Sequence, residues 1–430
     1  MNRIFKRIFL TFGTALLLTT AGVVGFAYLH DADSHVASMP VVDFQQQLYQ
    51  GSYLARAANC MGCHTTRGGA AYAGGRRIAT PFGDMYTPNL TPDTTTGIGR
   101  WSADDFWRAL HDGKSRDGHL LYPAFPYTEY TKMSRSDADA MFAYLKTLTP
   151  VQQKNRPYAL RFPYDQRILL AGWRALYFRP GVYIPDSTQT VEWNRGAYLV
   201  QGPGHCSACH ASRNTLGATE RSIALAGGVM PVSGWYAPSL TSNAQAGVGS
   251  WDRQQIVSLL KTGISQQGTV FGPMAEVVQG SLQHLSDADL GAMAIYLTSL
   301  PATTDERNAK DASERPSEAV MQRGAVLYSN HCVACHQANG QGVTSVYPAL
   351  AANRALTMES AINTIRIVLN GGFAPGTNGN PRPYGMAPYG PILNDIEVAA
   401  VATYVRNAWG NRASPVSSQA VGRNRAVPVD

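Results

Sequence analysis

The first pattern along the chain is a basic start followed by a long apolar run. Past Arg3, Lys6 and Arg7 the chain stays uncharged for 22 residues, from Ile8 to Leu29, and turns polar at His30-Asp31-Ala32-Asp33. A positive flank before an apolar stretch is an export signal, and about 20 apolar residues suffice to span a bilayer. Residues 1–34 therefore read in one of two ways: a signal peptide cleaved near Gly25-Phe26-Ala27, or a retained signal-anchor helix. In either case the positive-inside rule keeps the basic end in the cytoplasm and the remaining chain outside it.

Beyond the leader one hydrophobic pattern occurs three times. A glycine-led helical segment opens each copy: Gly51-Ser52-Tyr53-Leu54, Gly196-Ala197-Tyr198-Leu199 and Gly324-Ala325-Val326-Leu327. A Pro-x-Leu element follows at Pro88, Pro238 and Pro348. Copies one and two then share a Gly-x-Gly-x-Trp step, ending at Trp101 and Trp251, which leads into a helix stopping near Gly113 and Gly263; in the third copy Ile362 to Leu369 fills that place. Each copy closes on a helix with a tyrosine near its end: Ala138 to Leu145, Asp287 to Leu297 and Asp395 to Val405. Self-similarity at this scale means tandem copies of one unit. Each unit reads as a small, mainly α domain with more loop than three helices can cover.

The boundaries that follow are 1–34 for the leader, 35–150, 191–300 and 319–410 for the three domains, 151–190 for an ordered strap, 301–318 for a linker and 411–430 for a polar tail. The strap holds a helical stretch, Gln166 to Phe178, whose apolar face predicts packing on a domain, with docking on a partner or a membrane surface as the alternative. Length agrees with three domains, since 430 residues at ~150 per domain give about that number.

Composition narrows the chemistry. With 44% hydrophobic residues the chain is not disordered, and six cysteines are too few for a disulfide-stapled scaffold. The net charge of +7 comes without any Lys/Arg run interleaved with aromatics, so nucleic acid is excluded as a partner. All six cysteines fall into three motifs of one spacing: Cys60-Met61-Gly62-Cys63-His64, Cys206-Ser207-Ala208-Cys209-His210 and Cys332-Val333-Ala334-Cys335-His336. Two thiols three positions apart can each form a thioether to one porphyrin, and the histidine that follows then faces the iron. A zinc site would need two such pairs close together, and a redox dithiol has no use for a histidine repeated three times. Three covalently attached c-type haems are expected, with His64, His210 and His336 as proximal ligands.

A methionine from the loop before the last helix closes the distal face of His/Met cytochromes c. Met274, in Phe271-Gly272-Pro273-Met274, and Met386, in Pro383-Tyr384-Gly385-Met386, are placed for that role. The corresponding first-domain loop, Leu121 to Tyr127, carries Phe125 instead. Met133 aligns with the packing position Leu285 and reads as core; Met85, His111 and His119 are weaker candidates, His111 reading as a capping or surface residue. The first haem is therefore expected to be five-coordinate or weakly ligated. Arg76 and Arg77 read equally as propionate partners and as surface charge. Trp101 and Trp251 read as core packing, with electron relays as the alternative.

The motifs together resemble the tri-haem cytochrome c subunits of membrane-bound bacterial dehydrogenase complexes acting on alcohols, aldehydes, gluconate or other polyols. The most specific stretches are Thr80-Pro81-Phe82-Gly83, Asn89-Leu90-Thr91-Pro92-Asp93, Thr96 to Trp101, and Trp193 to Val200. The resemblance implies three tandem class I cytochrome c domains and an electron-transfer subunit with no substrate chemistry of its own. It implies a separate catalytic subunit of quinoprotein, molybdopterin or flavin type, ubiquinone as acceptor, and a place on the periplasmic side of the inner membrane. The other classes weighed are a peroxidase-like haem enzyme, which only Phe125 favours, and a free periplasmic shuttle.

Overall fold

The computed structural model describes residues 43–243, 246–303, 315–344 and 346–427, together with Gly22 and Gly25. Most of the leader and most of the 301–318 linker lie outside the described residues. Among the described residues, no helix is long and apolar enough to cross a membrane. The protein is mainly helical and forms two compact units, one of residues up to Ser52 with His64–Ile184, the other of Tyr53–Cys63 with Pro185 onward. The second and third copies of the repeat share the second unit.

Every copy contains a leading, a middle and a closing helix. The leading helices are Phe44–Ala57, Val191–Gln201 and Glu318–His331; the middle helices are Ala103–His111, Arg253–Thr262 and Ile362–Asn370; the closing helices are Arg135–Lys146, Asp287–Ser299 and Asp395–Val405. Short polar residues start most of them. Ser102 with Asp105, and Asn394 with Glu397, form reciprocal capping boxes, and Ser134, Thr190, Asp252, Ser286 and Ser317 cap through their side chains.

Leading and closing helices cross so tightly that only glycine fits. A Cβ on Gly51 would stand 1.9 Å from the Ala140 carbonyl oxygen; the equivalents are 2.0 Å for Gly196 on Ala292 and 2.5 Å for Gly324 on Ala400. The glycine that heads each repeat in the sequence is thus the contact on which each three-helix unit closes. Around the third crossing lies a core of Tyr328, Leu356, Ile365, Leu369, Val398, Val401 and Ala402.

In the first unit the strap is ordered. Its strand Ala159–Leu160 pairs with Gly83–Asp84 at the edge of the antiparallel hairpin Arg77–Thr80/Gly83–Tyr86. Its helix, Leu169–Tyr177, buries Leu170 and Ala171 against Leu120 and Tyr122. From the buried side of that helix Arg174 Nη1 donates to the Asp112 carbonyl at 2.5 Å.

In the second unit the two repeats interlock. Asn363 reads the backbone of Tyr236 on both sides, accepting from its N–H at 2.9 Å and donating to its carbonyl at 2.8 Å. The buried Arg366 guanidinium lies 5.1 Å from the centre of the Trp235 ring.

The polar tail from residue 411 carries a helix of its own. Ser418–Arg425 is a helix whose Val421 is fully buried in the third-repeat core, together with Val416, and whose Arg425 pairs with Asp395 at 2.8 Å. Two valines among polar neighbours are too few for a periodic signal, yet enough to seal one edge of a core.

Candidate haem sites

Each Cys-x-x-Cys-His motif forms a short helical turn after a leading helix: Cys60–Cys63, Ser207–His210 and Val333–His336. None of the six thiols is in a disulfide. Desolvation pushes the first thiol of each pair up, to about 12 for Cys60 and Cys206 and about 11 for Cys332. Among the described residues no three His, Cys, Asp or Glu side chains gather as a metal site.

The three histidines share one geometry. His64 Nδ1 bonds the Pro88 carbonyl at 2.8 Å, His210 the Pro238 carbonyl at 2.7 Å, and His336 the Pro348 carbonyl at 3.0 Å. A carbonyl can only accept, so Nδ1 carries the proton and Nε2 is left with its lone pair, the tautomer an iron ligand needs. Burial lowers the basicity of all three, His64 to about 4, and keeps the rings neutral at physiological pH. The accepting prolines are those of the Pro-x-Leu elements. The sequence displays both features but hides their partnership, because each proline lies at a different distance from its histidine: 24, 28 and 12 residues.

The chain also shows where an acidic group would fit. Trp251 Nε1 is buried without a hydrogen-bond partner, and an indole N–H aimed into the fold suits a carboxylate such as a haem propionate. The core-packing role expected of this tryptophan leaves that donor unexplained. Paired thiols, the neutral histidine tautomer and the unmatched indole together fit a covalent haem.

Met274 is the second residue of the helix Pro273–Gly280, and Met386 lies on the short strand Gly385–Met386; both are half-buried, in segments that precede the closing helices of their repeats. Phe125 packs into an aromatic cluster instead, 5.5 Å from Tyr130 and 6.5 Å from Tyr127, ring centre to ring centre. Met133 is fully buried, as a core residue should be, and Met85 is buried on the hairpin. His111 departs from the capping or surface role: it is buried, stacked on Trp107 at 4.5 Å, with Nδ1 2.8 Å from the Asp112 carboxylate. Arg77 takes the surface reading, exposed and paired with Asp84 at 2.7 Å.

Three such turns, each with a histidine pinned by a proline carbonyl inside a three-helix repeat, are consistent with a cytochrome c that carries more than one haem. The cytochrome c family model matches residues 49–149 and 321–409. The chain belongs to the family of cytochrome c subunits of bacterial dehydrogenases, as its motifs imply. It is 36% identical over 415 residues to the gluconate 2-dehydrogenase cytochrome c subunit of Pantoea cypripedii, covering 93% of this chain and 92% of that protein. It is 37% identical over 405 residues to the cytochrome c subunit of the quinone alcohol dehydrogenase of Gluconobacter oxydans, covering 90% and 82%. A nicotinate dehydrogenase subunit of Pseudomonas putida is 40% identical over 366 residues, 84% of this chain but only 30% of that longer protein. The chain is an electron-transfer subunit of a dehydrogenase complex.

Proposed function

We propose that this subunit relays electrons through three covalently bound haems, from a catalytic dehydrogenase chain of quinoprotein, molybdopterin or flavin type to ubiquinone, on the periplasmic side of the inner membrane. The observation that carries the reading is the histidine-to-proline-carbonyl bond, repeated beside each of the three thiol pairs. When bound, each haem supplies an iron that takes up and returns a single electron. The chain does the rest. Cys60 and Cys63, Cys206 and Cys209, and Cys332 and Cys335 hold the porphyrins as thioethers. His64, His210 and His336 are the proximal ligands, each oriented by its proline.

Met274 and Met386 would supply sulfur to the second and third haems. In the first repeat Phe125 offers no ligand atom, so that haem would be left five-coordinate or weakly ligated. The relatives' names supply the partner class: their subunits serve dehydrogenases of alcohol, gluconate and nicotinate.

Mass spectrometry and haem quantification of the exported protein test the reading. Three haems per chain are expected, and fewer would overturn it. Carbon monoxide should bind one of the three reduced haems, and three unreactive low-spin haems would remove the proposal for Phe125. Reduction of a ubiquinone analogue by the purified complex, lost when this subunit is withheld, tests the acceptor.

A further inference from the structure

The residue just before each of the first two cysteine pairs has a backbone conformation that side chains seldom adopt. Asn59 has φ 49° and His205 has φ 37°. Strain of this kind persists only where surrounding contacts hold it, and it collects at functional positions. Each is held by its own turn and also by contacts that run between the first attachment segment and the second repeat.

The His205 imidazole hydrogen-bonds the backbone carbonyl of Ala58. Ser281, almost fully buried, donates to the Ala57 carbonyl at 3.3 Å. Gly280 approaches so closely that a Cβ there would stand 3.3 Å from Asn59 Oδ1. The helix that carries Met274 packs on the turn Cys60–Cys63, and the segment Tyr53–Cys63 belongs to the same compact unit as the second repeat. The two attachment turns are therefore built against each other.

We propose that His205 is a positioning residue that couples the first and second haem sites. A bonded route between the two cysteine pairs runs from Cys206 to His205, across one hydrogen bond to the Ala58 carbonyl, then through Asn59 to Cys60. Electron exchange along it moves one electron from a ferrous to a ferric iron and makes or breaks no bond, so the protein needs only to hold the route fixed. The inference rests on the three-haem reading above. The helical hydrogen bonds within each turn orient that turn alone; the His205 bond spans the two.

The test compares full-length, haem-loaded His205→Ala and His205→Gln with the parent by pulse radiolysis, following how an injected electron redistributes among the haems. Haem count and midpoint potentials are measured on the same samples. His205→Ala should slow redistribution between the first and second haems several-fold, with three haems retained and potentials unchanged. His205→Gln, which keeps a donor to the carbonyl, should restore most of the rate. An unchanged rate in His205→Ala with three haems overturns the coupling role. If His205→Ala loses a haem, Ser281→Ala serves in its place, since it loosens the same junction without touching an attachment motif. An unaltered rate in Ser281→Ala, with three haems retained, overturns the proposal too. A parent chain with fewer than three haems would instead bring down the three-haem reading itself.

Discussion

A haem attached through two thioethers leaves the chain several controls over its potential, among them the electron density of the proximal imidazole and the identity of the distal atom. The first is nearly constant here, because all three histidines give their Nδ1 proton to a proline carbonyl. The second differs between repeats, with sulfur available from Met274 and Met386 and only a phenyl ring at Phe125. Methionine ligation raises the reduction potential, so Met274→His and Met386→His should each lower one midpoint potential and leave the other two in place. Phe125→Met should raise the potential of the first haem and remove its reaction with carbon monoxide. Spectroelectrochemical titration resolves these shifts, and a Met386→His protein with three unmoved potentials would show that Met386 is no ligand.

A second residue-scale expectation concerns acid. Burial alone would raise the Asp289 carboxyl, but the bidentate Arg195 at 2.8 Å and the Tyr53 hydroxyl at 2.6 Å outweigh it and hold the group below its ordinary 3.8. A carboxylate depressed in the folded state stabilises fully above its unfolded pKa and loses that contribution as pH falls through the folded value. Asp289→Asn should therefore melt lower than the parent at neutral pH, and the gap should close as pH falls below the ordinary aspartate value. A gap independent of pH would assign the loss to packing.

At the scale of elements, the crossing of leading and closing helices is the joint that each repeat depends on. A methyl group at Gly196 would meet the Ala292 carbonyl oxygen at 2.0 Å, and backbone cannot step aside as a side-chain end can. Overpacking typically costs roughly 1–3 kcal/mol. Gly196→Ala and Gly324→Ala should reach or exceed the upper part of that range, read as a lowered midpoint in denaturant with the haem Soret band still present.

These glycines were legible in the sequence as the heads of three similar segments, because a contact made three times leaves three matching marks. The closing helix Asp395–Val405 was equally plain from its apolar run, and the structure adds Asn394 as its cap. What stayed hidden lacks either repetition or periodicity. The carbonyl of Pro88 carries no side-chain signature of its role toward His64. Val421 seals a core from within a polar octapeptide. His111 looks like a helix-end polar residue until the fold lays it on Trp107. Trp251 was readable as buried, but not that its Nε1 would lack an acceptor, since only the packed structure shows which donors remain unmatched.

For the second compact unit as a whole, the question is whether its two repeats behave as one body. Asn363 grips the Tyr236 backbone from both sides, and Thr377 Oγ1 donates to the Thr262 carbonyl at 3.2 Å. A Cβ on Gly372, the strand partner of Met386, would stand 3.8 Å from the Phe271 ring, three positions before Met274. The strand partner of Met386 thus approaches the segment that leads to Met274, and the joint between the repeats runs beside the segments expected to close the distal faces. Losing a buried hydrogen-bond partner costs about 1–3 kcal/mol, so Asn363→Ala should lower the melting of both repeats together. Calorimetry of the haem-loaded chain should give one transition for this unit, and two separate transitions in the parent protein would mean the joint is too weak to couple them. A fixed joint also sets the kinetics of the relay. If the repeats are already joined there, electron exchange between the second and third haems needs no docking motion, and its rate should not change with solvent viscosity. A rate that falls as glycerol is added would mean that the repeats separate and re-dock between transfers.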